Sequence, residues 1–358
     1  QQCPIMFSRP TSLLSLRTWL LSALAIGFHA GRPAQAADRW EHERPWAAPT
    51  QPAVISQVIP TPDGIPWHSL AITTAGKLVG QRQASRDGAI PSVAIIGEDG
   101  HAIPFPATAT PDLTNPTALT ADEKGHIWIL DAGARSEGPW SLTEVDGRSE
   151  TVLGHWTLPP ESRVAGSRFA ALVIHGDFAY LADEGHAALA VLDLRDGKGK
   201  RFIEDDPSVR GRQAMVVAGK PVLDADGHAI ARDVSLLAIT HDGKWLFYQP
   251  PCGPLYRLST ELLTDPSYGP VEQLDGIVKW RETPTLGGMT TGTNDTLYMT
   301  DVASAQLLSF SSARIPLWLL RDPRLAQSAV PAVTPDGHTL YVPVAGGPSV
   351  LKIALPPQ

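Results

Sequence analysis

LLAITHDGKWLFYQPP, residues Leu236–Pro251, decides the fold. An apolar run meets a Gly-containing turn, and a second run rich in aromatic residues returns from it, the signature of a β-hairpin. Five further stretches repeat it. They are HSLAITTAGKLVGQRQ from His68, PTALTADEKGHIWILDAG from Pro116, FAALVIHGDFAYLADEG from Phe169, GGMTTGTNDTLYMTDVAS from Gly287 and PAVTPDGHTLYVPVAG from Pro331. The turn residues are Gly76, Gly125, Gly176, Gly243, Asn294 and Gly337, at separations of 49, 51, 67, 51 and 43 residues. A hairpin recurring every roughly 40–50 residues is the spacing of β-propeller blades.

A third apolar run follows each hairpin, such as WSLTEVDG from Trp140 and QLLSFSS from Gln306. Most copies add a fourth, including VLGHWTL from Val152 and VEQLDGIV from Val271. The sixth copy has no fourth run, and the β-branched segment Val54–Ile59 is left over. Pairing it with the run from Ser349 would close the ring and hide two sheet edges. The expectation is an all-β, six-bladed β-propeller with four-stranded blades, closed by its N- and C-terminal strands and spanning residues 53–358 as one domain. The interval of 67 holds an insertion, Pro207–Arg232, expected to lie over one mouth of the channel because it precedes an inner strand.

The composition agrees: of 358 residues, 33 are Pro, 31 are Gly and only 18% are charged, as turn-rich β structure requires. A net charge of −8 leaves no basic footprint for nucleic acid. Arg9 and Arg17, the short apolar run Trp19–Phe28 and Ala34-Gln35-Ala36 read as a secretory signal, with Met6 as its start and cleavage after Ala36. The apolar run is too short to span a bilayer. The expected product is secreted or periplasmic, without a membrane anchor, with 37–52 as an extended lead-in. Cys252 would then be the single cysteine, excluding an internal disulfide.

Several of these stretches resemble the major royal jelly / yellow protein family. RFAALVIHGDFAYLADEGHAALAVLDLRDGKGKRF (Arg168–Phe202) is similar to the family's third-blade region. HIWILDAG (His126–Gly133), DVSLLAITHDGKWLFYQPPCGPLYRLSTELLTD (Asp233–Asp265) and GGMTTGTNDTLYMTDV (Gly287–Val302) match further family patterns in the right order. The resemblance implies a six-bladed propeller, for which insect relatives suggest amine binding or dopachrome conversion. The family's acidic residue before "GM" is Gly287 here, which puts those activities in doubt.

In a propeller, inner strands start at the mouth where second strands end. That phase gathers Trp67, His68, Asn115, Arg168, Phe169 and Asp233 from strand starts with Asp131, Asp183 and Asp301 from strand ends. A polar cup of this kind suits a small-molecule ligand, with activity unassigned. Its oxygens could also hold Ca²⁺ or another divalent cation, with Asn115 and Asp233 as the metal candidates and a metal-assisted isomerase or lactonase as the alternative. The same aspartates could instead cap turns through backbone amides. A third alternative is a rigid platform for protein partners. No nucleophile elbow, zinc-protease helix, P-loop or dinucleotide fingerprint occurs. Leu223–Gly227 contains a DADG turn without the Glu that a Ca²⁺ loop needs.

Overall fold

The structure is a computed structural model, and it describes residues 43–85, 89–106, 113–134 and 139–357. The expected secretory signal and the start of the expected lead-in, residues 1–42, lie outside the described residues. The unit that begins at Arg44 carries six four-stranded antiparallel sheets. Blade 1 runs through Ser69–Ile72, Leu78–Gln81, Val93–Ile96 and Ala102–Pro104, inner strand first. Blade 2 uses Pro116–Ala121, Ile127–Asp131, Ser141–Val145 and Val152–Thr157; blade 3 uses Phe169–His175, Phe178–Asp183, Ala188–Asp193 and Gly199–Phe202. Blade 4 comprises Leu236–Ile239, Trp245–Gln249, Leu255–Ser259 and Val278–Arg281, and blade 5 Leu286–Thr291, Leu297–Asp301, Gln306–Phe310 and Pro316–Arg321. Blade 6 takes three strands from the C-terminal end, Ala332–Val333, Thr339–Val344 and Ser349–Ala354, and its outermost from Val54–Pro60. The closing pair runs from Val54 opposite Ala354 to Pro60 opposite Ser349, with one register shift between Ile55 and Gln57.

The hairpin turns explain the repeat. In blade 4 the Gly243 amide donates to the Thr240 carbonyl, and Gly243 has φ +71°. A Cβ there would stand 2.0 Å from the His175 ring of blade 3, so the turn needs glycine for both conformation and space. Blade 5 differs from the sequence expectation. Its left-handed residue is Asp295, φ +61°, whose amide donates to the Gly292 carbonyl. Asn294 lies one place earlier, its Oδ1 accepting from the Thr296 amide at 3.1 Å. Aspartate and asparagine tolerate this region better than other non-glycine residues.

A second correction concerns VEQLDGIV. Pro270–Asp275 is a helix, and the fourth strand of blade 4 starts only at Val278. Pro270 occupies the first helical turn, and Glu272 accepts a hydrogen bond from the Gly269 amide at 2.9 Å. Proline first and glutamate third is a helix start, and it outweighs the strand pattern of the apolar residues.

Six apolar clusters fill the six interfaces between adjacent blades. Leu119, Ile127 and Ile129 meet Val79 and Phe105 between blades 1 and 2. Leu340, Val342 and Leu351 meet Tyr298 and Leu307 between blades 5 and 6, and Val350 and Ile59 meet Leu70 and Trp67 across the closing seam. Second strands such as Ile127–Asp131 are buried along their whole length, because both faces of a blade pack on neighbours.

Ile59 is 2% exposed and its neighbour Val58 44%. Ile59→Ala should therefore lower stability by about 2–4 kcal/mol, and Val58→Ala by no more than about 0.5 kcal/mol. Urea unfolding monitored by tryptophan fluorescence reads both. Equal effects would mean that the N-terminal strand does not seal the ring.

Candidate functional site

Second strands of blades 2, 3 and 5 end in buried aspartates, and their carboxylates face turns. Asp131 accepts from the Gly133 amide at 2.5 Å and the Asn115 amide at 3.1 Å. Asp183 accepts from the amides of Arg168, Gly185 and His186 at 2.9, 3.0 and 3.1 Å, and from Arg201 Nη1 at 2.6 Å. Asp301 accepts from Ala303 and Ser304 amides at 2.9 and 3.0 Å. Burial raises the Asp301 carboxyl above its usual range, and those amides pull the other way. Each carboxylate ties the second strand to the turn that follows, the local capping chemistry short acidic side chains favour.

The mouth at this end opens into a cavity of about 650 Å³. Trp67 and His68 line it. Asn115, Asp131, Arg168, Phe169, Asp183, Asp233 and Asp301 are not among its lining residues. Phe169 is buried between blades 2 and 3, edge-on to Trp140 with ring centroids 5.1 Å apart. Asp233 accepts from the Gly211 amide at 2.8 Å and lies 3.5 Å from Arg210 Nη1, which fastens the two ends of the insertion together.

Of the expected metal pair, Asn115 uses its backbone on Asp131 and Ala132, and Asp233 lies beside the Arg210 guanidinium. Among the described residues, two groups could each bring three ligand atoms together, Asp122–His126–Glu144 and Asp224–Asp226–His228. In the first, His126 Nδ1 lies 2.7 Å from Glu144 and 3.6 Å from Asp122, and a hydrogen bond to Glu144 accounts for the geometry. The second is the exposed DADG turn.

The insertion roofs the cavity, as its position in the sequence anticipates. Its hairpin pairs Val216–Val217 with Lys220–Pro221. The tip reaches blade 5, where the amides of Ala218 and Gly219 donate to the carbonyls of Val302 and Ala303, each at 2.9 Å. The Val216 amide donates to Thr285 Oγ1 at 3.1 Å. The other end is latched to blade 3. Arg232 donates through Nε to Glu184 Oε1 at 3.1 Å and through Nη2 to Oε2, and Arg168 Nη2 donates to Glu184 Oε1 at 2.7 Å. Glu184 is 8% exposed, and it and Arg232 both line the cavity. Sequence phase places Glu184 at this mouth, but its partner 48 residues away leaves no local signal.

Apolar wall is supplied by Leu237, Leu286, Met289 and Val302, with Met215 and Val217 from the roof. Trp67 stacks on the buried Arg82 guanidinium, 4.0 Å from the ring centroid. Trp67 Nε1 and Thr117 Oγ1, on two lining residues, are fully covered and have no hydrogen-bond partner among the described residues. The His68 ring reaches the cavity, and protein on its flanks lowers its pKa below the usual 6.5 by desolvation. The opposite mouth is smaller, about 290 Å³, and is lined by inner-strand ends and turn residues such as Thr74, Asp122 and His241.

The model of the major royal jelly protein family matches residues 114–314. A gluconolactonase from Xanthomonas campestris is similar in structure at 15% identity and TM-score 0.53, covering 87% of this chain and 97% of that chain. The β-propeller domain of Myceliophteria thermophila Cps50 (Swd1) is similar at 11% identity and TM-score 0.51, covering 85% and 100%. At such identities the likeness is one of fold. A comparison with curated protein sequences gives no match.

The lowered His68 pKa has a consequence for stability. Below pH 6.5 the unfolded chain protonates this histidine before the folded chain does, so acid favours unfolding. Wild-type melting temperature should fall from pH 7 towards pH 5.5, and His68→Asn should fall less. Parallel slopes in thermal melts would mean that His68 is not desolvated.

Proposed function

We propose, from the premise that this chain belongs to the major royal jelly protein family, that it binds a small molecule in the cavity beneath the 207–232 insertion. One observation carries the reading: a cavity of about 650 Å³ at a propeller mouth, roofed by an insertion anchored to blades 3 and 5. Ligand sites are typically about 300–1,000 Å³, mostly apolar, with a few convergent polar groups. Here His68, Glu184 and Arg232 are those groups. The roof is anchored by hydrogen bonds and one ion-pair cluster.

The alternative reading as a rigid platform for protein partners does not call for a cavity of this size. A proton-transfer reaction of isomerase or lactonase type is the second reading, and His68 favours it: a neutral imidazole without a protein partner on its ring is available as a base. That activity would not use Asn115 and Asp233 as metal ligands, since neither borders the cavity.

Native mass spectrometry of the protein purified from its source tests binding. A retained small molecule is expected, and Ala170→Trp, which fills the cavity from its blade 3 wall, should remove it. Equal retention by this variant, or none by the wild type, argues against the cavity. Export belongs to the same proposal. The secreted or periplasmic product should begin at Ala37 by mass, and a product retaining Trp19–Phe28 would refute it.

A further inference from the structure

We infer that the cavity selects uncharged, largely apolar molecules bearing a hydrogen-bond acceptor and discriminates against amines; this rests on the ligand-binding reading above. An amine needs an available carboxylate. Among the described residues the only acidic group in the lining is Glu184, and its two oxygens already accept from Arg232 and Arg168. The Arg232 pairing is a two-point guanidinium–carboxylate fork, the strongest geometry for such a pair. A ligand ammonium would find only the last lone-pair site on Oε2, next to two guanidiniums that repel it. The cluster as a whole, one carboxylate between two arginines, carries a net positive charge and repels a cation.

The remaining polar groups point to an acceptor on the ligand. The Trp67 indole N–H can only donate, and the Thr117 hydroxyl and neutral His68 can each donate one hydrogen bond. Among the described residues Trp67 Nε1 and Thr117 Oγ1 have no partner, but both atoms are fully covered, so a ligand reaches them only if the wall shifts. A carbonyl, ester or ether oxygen beside His68 would meet a ring N–H that no hydrogen bond among the described residues uses. The apolar part of the wall includes Leu237, Leu286, Val302 and two methionines, Met215 and Met289, beside the neutral polar residues Ser69, Ser235, Gln327 and Ser328. Unbranched, polarisable methionine side chains on roof and wall adapt to varied apolar shapes. These features describe a drug-sized neutral ligand in which an oxygen acceptor sits on an apolar frame.

The test separates class from site. Nile red, an uncharged carbonyl dye that brightens in apolar surroundings, reports occupancy. Three phenols of similar size compete with it at pH 7.5: 4-ethylphenol, tyramine and 4-hydroxyphenylacetate, respectively neutral, cationic and anionic. The neutral phenol should displace the dye at about one tenth the concentration tyramine needs, the ratio expected when one polar group is left unpaired. Glu184→Gln leaves Arg168 and Arg232 without their carboxylate and should make 4-hydroxyphenylacetate the best competitor. Tyramine binding as tightly as 4-ethylphenol overturns the class and spares the cavity. Unchanged dye binding by Ala170→Trp overturns the cavity itself. The wild-type comparison decides the class even where Glu184→Gln does not fold.

Discussion

Everything in this molecule depends on blades packing face to face around a closed ring. A single four-stranded sheet has two apolar faces and two exposed edges, and cannot satisfy either alone. Six interfaces, each filled by its own cluster of buried side chains, solve the first problem. Recruiting Val54–Pro60 as the outer strand of the blade that holds Ser349–Ala354 solves the closure problem by joining distant parts of the chain. The seam is then held by ladder hydrogen bonds and by Ile59 and Val350 packed on blade 1.

Closure also fixes where chemistry can occur. With the blades locked, inner strands converge on a channel, and only connections entering or leaving them reach a mouth. The 207–232 insertion is such a connection, and it crosses the mouth to touch blade 5 while Arg232 holds Glu184 of blade 3. The aspartates at the ends of second strands serve the ring by tying strand to turn. Their repetition reflects the architecture, and the individuality of the site comes from His68 and Glu184 at the ends of repeat copies and from Met215 and Arg232 in the insertion.

This division explains what could be read from the sequence. The hairpin repeat, six blades, ring closure and the position of the insertion follow from local patterns: apolar runs, glycine turns and spacing. The helix at Pro270–Asp275 was legible too, in Pro270 and Glu272, but the apolar pattern of Val271, Leu274 and Val278 argued for a strand. Repeat phase correctly brings Trp67 and His68 to the mouth. Phase alone cannot tell a carboxylate that looks into a channel from one that turns back on its own loop, so Asp131, Asp183 and Asp301 were placed in the cup. Repeat phase puts Arg168 and Glu184 at this mouth, but Arg232 comes from the insertion, and its ion pair with Glu184 follows no sequence period.

The central claim is that the roofed cavity is the ligand site. Crystals soaked in 4-bromophenol, an uncharged probe, test it through the anomalous signal of bromine. The account predicts a bromine peak inside the cavity, in van der Waals reach of Met215 and Met289. A peak confined to the opposite mouth, or no peak in the cavity at saturating probe, would contradict it.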